Sequence, residues 1–90
     1  MGSLQELLEI IARMDDTDEL RNFFGEIFTP KELRDSGLRW QLLRELFKGE
    51  KQRVIASRLR ISLCKITRSS KILKKEGSIS RKILKSRIAV

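Results

Sequence analysis

Apolar residues return at three- and four-residue spacing along this chain, and the pattern predicts an all-α protein. In LQELLEIIARM, Leu7, Ile10, Ile11 and Met14 share one helical face, and Ser3 with Glu6 is expected to form a capping box ahead of it. Asp15, Asp16 and Thr17 break that helix. Asp18 and Glu19 suit the first turn of the next, where carboxylates oppose the positive end of the helix dipole. Leu20, Phe23, Phe24, Ile27 and Phe28 then form a broad apolar face, read as core packing or a dimer seam rather than a cofactor box.

The clearest boundary is Thr29-Pro30-Lys31-Glu32: a threonine cap, a proline at the first helical position and a glutamate three residues after the cap. A short helix is expected there, interrupted at Ser36 and Gly37. LRWQLLRELFKG follows as another helix, with Leu38, Leu42, Leu46 and Leu43 or Phe47 inward and Gly49 as a left-handed cap.

QRVIASRLRISLCKITRSSKI has the spacing of a helix-turn-helix, in which two short helices meet at a wide angle and need a small residue at the crossing. Ile55, Ala56 and Leu59 supply the first helix, Ile61 the turn, and Leu63, Ile66, Ser70 and Leu73 the inner face of the second. Ala56 stands ten residues before Ile66, as the contact between the two helices requires. Arg60 occupies the turn position that favours glycine, at a cost of the order of 1 kcal/mol for a left-handed conformation. Ser62 is expected to cap the second helix. Its outward residues, Cys64, Lys65, Thr67, Arg68 and Lys71, are small or cationic, which suits a major groove.

Composition sharpens this picture. Ninety residues allow one domain, expected to divide into core and dimerisation helices over 1–49, the helix-turn-helix over 50–75 and a C-terminal helix over 76–90, with fraying from Ser86 onward. A chain this short buries only roughly 60% of the surface it exposes unfolded, so a partner chain is expected. One cysteine and no histidine exclude an internal disulfide and disfavour zinc or histidine-based catalysis, so neither an enzyme nor a cofactor is expected. The apolar runs are too short to span a bilayer, and a cytoplasmic protein is expected.

Charge separates the two halves. Residues 1–36 carry four Lys/Arg against nine Asp/Glu, a net −5, whereas residues 37–90 carry sixteen against three, a net +13. A strongly basic half implies a polyanionic partner, nucleic acid before a membrane surface, since Thr, Ser and Cys stand where a membrane helix would place Trp and Phe. Exposed aromatics for base stacking are few in that half, which argues against single-stranded or RNA binding.

TPKELRDSGLRWQLLRELFKGE, followed by KQRVIASRL and ITRSSKILK, resembles the bacterial tryptophan repressor family over about half the chain, roughly Phe28 to Lys75. The resemblance implies six helices per chain and an intertwined homodimer bound to double-stranded operator DNA. It also implies a reading head at Gln52, Arg53, Leu63, Cys64, Lys65 and Thr67, with Ser62 at the helix start. Arg53 has the fork to donate to both O6 and N7 of guanine, or to a phosphate, while Lys65, Lys71, Lys74 and Lys75 suit the backbone.

The same resemblance implies L-tryptophan as a corepressor, its indole between Arg39 and Arg68 and its polar end near Thr29 and the carbonyls around Glu26 and Phe28. Read without the family, Arg39 and Arg68 suit phosphate contacts equally well. Ser69 stands where the family has glycine, Ile72 stands where it has serine, and one residue is missing around Lys51. These departures predict a pocket that is closed or takes another molecule. A regulator of this fold without tryptophan dependence, and a non-specific nucleic-acid binder, are the alternatives.

Overall fold

The computed structural model describes residues 2–88. They form six helices, with no strand among them: α1 (Ser3–Arg13), α2 (Thr17–Ile27), α3 (Pro30–Phe47), α4 (Gln52–Leu59), α5 (Leu63–Lys74) and α6 (Ile79–Ile88). The all-α, six-helix expectation holds. The chain divides into two compact units, residues 1–35 and 36–90, with the boundary inside α3.

In the first unit, α1 starts one residue earlier than the expected cap. Gly2 takes the extended cap conformation and its carbonyl accepts from Glu6 N–H at 3.3 Å, with no side chain closing the end. Ser3 is therefore already helical, and the Ser3–Glu6 box does not form. Asp16 caps α2 by accepting from Asp18 N–H at 3.0 Å. Leu7, Ile11, Met14, Leu20, Phe23, Phe24 and Phe28 are only half-buried, and the Phe24 and Phe28 rings lie 5.0 Å apart at a 53° tilt. No residue of α1 or α2 is buried.

The predicted box at α3 forms in both directions: Thr29 N–H donates to Glu32 Oε1 at 2.9 Å, and Glu32 N–H donates to Thr29 Oγ1 at 3.2 Å. The Thr29 N–H, and secondarily its hydroxyl, hold the Glu32 carboxyl below its ordinary value. The expected interruption at Ser36-Gly37 is absent, and α3 runs unbroken for 18 residues. A glycine inside a helix costs about 1 kcal/mol, whereas breaking and restarting would orphan several backbone groups on each side. Continuity is the cheaper solution. At its far end Gly49 adopts φ 92°, Gly49 N–H donates to Leu46 O at 3.0 Å and Glu50 N–H to Glu45 O at 3.1 Å, the paired bonds of a Schellman cap.

The second unit holds every buried residue among those described. Leu42 of α3, Ile55 of α4 and Ile66 of α5 form the core, with Leu46, Ala56, Leu59 and Ile61 packed against it. Ala56 packs against the cluster that contains Ile66. The turn closes through Arg60 at φ 55°, ψ 46°, and Ile61 N–H donates to Ala56 O at 3.2 Å. Arginine thus holds the left-handed position.

Leu73 of α5 and Leu84 of α6 extend the burial, and Ser78 starts α6 by accepting from Arg81 N–H at 3.2 Å. Fraying was expected from Ser86 onward, whereas the helix includes Ser86 to Ile88; Ala89 and Val90 lie outside the described residues.

Candidate nucleic-acid interface

The inner and outer faces of α5 fall out of its core spacing. Ile66 is buried completely and Leu73 nearly so, and the third inward residue is Ser69, three after Ile66 and four before Leu73. The inner-face expectation placed Ser70 there, which is only half-buried, and included Leu63, which is 51% exposed. Leu63 is the first helical residue, beyond the reach of the core. It turns outward with the reading residues.

Ser62 caps the helix, its Oγ accepting from Lys65 N–H at 3.3 Å. Leu63, Cys64, Thr67, Arg68, Lys71, Ile72 and Lys75 then line one open concavity along the outer face. Cys64 is exposed with a free thiol. Thr67 Oγ1 donates to Leu63 O at 2.9 Å, an internal bond that fixes its rotamer. Lys65 is exposed beside this face.

Across the turn, Gln52 and Arg53 are exposed in the first turn of α4, whose cap, Lys51, offers no side-chain acceptor to the leading amides. The framework therefore brings Arg53 and the α5 face into one two-helix unit around Ile55 and Ile66. It is cationic throughout: no acid occurs from Lys51 to Lys75. Such a surface, with small side chains between the cations, can follow a phosphate backbone and admit base edges.

A family model described as Trp repressor protein matches residues 2–88. The chain belongs to the Trp repressor family. Trp repressor proteins are DNA-binding regulators with a helix-turn-helix. No curated protein and no solved structure matches the chain. The family match extends well beyond the stretch on which the sequence resemblance rested, taking in α1, α2 and α6.

Of the positions that the Trp repressor resemblance assigns to a corepressor, Arg39 and Arg68 are exposed, Ser69 is buried and Ile72 is 39% exposed. Thr29 is the cap of α3 in the first unit. No group of His, Cys, Asp and Glu suited to a metal occurs among the described residues, and no helix among them is long and apolar enough to cross a membrane.

The sequence reading missed Glu45 and Arg58. Glu45 is 8% exposed on the apolar face of α3, and Arg58 of α4 forms an ion pair with its Oε1. The signal was available: Glu45 follows Leu42 by three and precedes Leu46 by one, so it shares their stripe, and it is one of only three acids after residue 36.

Proposed function

We propose that this chain is a sequence-specific, cytoplasmic transcriptional repressor that binds double-stranded operator DNA as a homodimer. The supporting observation is the α5 outer face, where Leu63, Cys64 and Thr67 stand exposed among Lys65, Arg68 and Lys71 on a firmly packed helix. Arg53 donates both arms of its guanidinium to O6 and N7 of a guanine, and Leu63 meets a thymine methyl. Gln52 and Ser62 sit at helix starts, where backbone amides approach phosphates, and Lys71 with Lys75 holds the register.

The dimer reading is supported by the first unit, whose helices leave Leu4, Leu8, Ile10 and Ile27 exposed. Twofold symmetry sets two α5 helices one turn of DNA apart, ~34 Å, an arrangement for which tryptophan repressors are themselves a standard example.

L-tryptophan is the proposed corepressor, with Arg39 and Arg68 as the side chains that flank its ring. A ligand-independent repressor is the second reading, favoured by Ile72: an alkyl group in place of a hydroxyl removes a hydrogen bond to a charged amine worth ~1.5–3 kcal/mol. Selection of bound duplexes from a random pool, with and without L-tryptophan, tests both. Enrichment only with tryptophan supports the first reading and equal enrichment the second; no enriched sequence refutes sequence-specific binding.

A further inference from the structure

The Glu45–Arg58 pair is poorly suited to stabilising the fold. Glu45 sits beside Leu42 in the core-facing stripe of α3, its Oε1 meets Arg58, and its Oε2 is sealed from solvent with no hydrogen-bond partner among the described residues. Burying a carboxylate with one oxygen uncompensated opposes folding, and apolar residues of similar volume at such a pair are often as stabilising or more so. Arg58 is half-exposed, so solvent screens part of the attraction.

What the pair adds is direction. Within the second unit the closely packed helix pairs are α4 with α5 and α5 with α6. Leu42 of α3 and Ile55 of α4 share one apolar cluster, with Leu46, Ala56 and Leu59 packed against it, and among the described residues the Glu45–Arg58 bond adds a polar link between the two helices. Apolar packing tolerates small rotations and slips, whereas a buried carboxylate met by one guanidinium nitrogen keeps its partner only while α4 holds Arg58 within hydrogen-bond reach.

We infer that Glu45 and Arg58 are positioning residues for DNA reading: their ion pair fixes the orientation of α4, and with it Arg53 and the α5 face, relative to α3. This rests on the proposed function, and it assigns the pair to the geometry of recognition, not to contact with DNA.

Two variants of the full-length chain separate this from a purely structural role. Glu45→Gln preserves every cation and raises the net charge from +8 to +9, so binding to a scrambled duplex is not weakened. Discrimination in favour of the best duplex selected by the wild type falls roughly tenfold or more, because a bidentate base contact swung out of line is lost. Glu45→Leu/Arg58→Leu is expected to melt no lower than the wild type and yet to lose the same discrimination.

Backbone amide residual dipolar couplings of the free protein give a readout without DNA. A single alignment tensor fits the second-unit part of α3 together with α4 and α5 in the wild type, and in the double-leucine variant the α4 and α5 couplings shrink relative to those of α3. Retained discrimination in both variants, or couplings that still obey one tensor, overturns the inference. A wild type that selects no sequence refutes the proposed function instead, and the couplings still judge the pair.

Discussion

The two units use similar proportions of apolar residues to different ends. In residues 1–35 the leucines and phenylalanines line helical faces that nothing within α1 and α2 fully covers, while in residues 36–90 a handful of side chains from α3, α4 and α5 close around Ile55 and Ile66. One unit is held by its own interior. The other keeps apolar surface that requires cover to contribute stability, since burial is favourable in proportion to the area withdrawn from water. The division matches charge, because the acidic part coincides closely with the uncovered unit and the basic part with the self-packed one.

The strongest way to break this contrast is a truncation on each side. Ile66→Ala is expected to cost ~2–5 kcal/mol in denaturant unfolding, by the same amount at any protein concentration. Leu8→Ala is expected to act through association, with a melting temperature that falls more steeply on dilution than that of the wild type. Equal concentration dependence for the two would erase the distinction between the units.

Arg53→Ala sharpens the comparison within the reading head, with an expected loss of ~1–3 kcal/mol on the selected duplex and relaxed choice at one base pair. Lys75→Ala should instead weaken all sequences alike and reduce the salt slope by ~0.9. Equilibrium titrations at several salt concentrations distinguish the two; if Arg53→Ala weakens random DNA as much as the selected duplex, the base-reading role fails.

Smaller effects are expected at the helix ends. Ser62→Ala removes the cap of α5 and should cost ~1 kcal/mol, while Arg60→Gly should gain up to about 1 kcal/mol by relieving the left-handed arginine. Both are read from thermal unfolding.

The smallest effect concerns Glu32 in α3. Its carboxyl titrates below its ordinary value in the folded chain, so the stabilisation is complete above the unfolded value and disappears as pH falls through the folded one. Glu32→Gln should remove this acid limb. Amide exchange in the first turn of α3 measures it, and an acid limb unchanged in the variant would detach Glu32 from the cap.

The helix-turn-helix was legible because its demands are local: Ile55, Ala56, Ile61 and Ile66 fall at spacings that geometry dictates, and Ser62 and Gly49 punctuate the helices as their backbone preferences require. The Thr29–Glu32 box was legible for the same reason. Ser36-Gly37 misled because propensity describes a residue in isolation, whereas a helix already propagating tolerates one glycine. Leu63 lies outside although it was expected inward, and Ser69 takes the inward place expected of Ser70, because an inward face is set by which turn of the helix reaches the core, not by hydrophobicity. A leucine in the first turn stays outside, and a serine three residues after Ile66 goes in. Glu45 was legible from its place in the Leu42–Leu46 stripe, but its partner was not, because Arg58 stands thirteen residues further on in another helix.

The hydroxyl of Thr67 has given its only proton to the carbonyl of Leu63. Toward anything outside the helix this side chain is therefore a one-way group, with lone pairs to receive a hydrogen bond, a methyl to exclude water, and nothing left to give. An amino edge, such as that of adenine or cytosine, can answer it, and a carbonyl edge cannot. Serine in its place would keep the polarity without the methyl, and valine the methyl without the polarity, so the two substitutions divide one small side chain into its grammar and its shape.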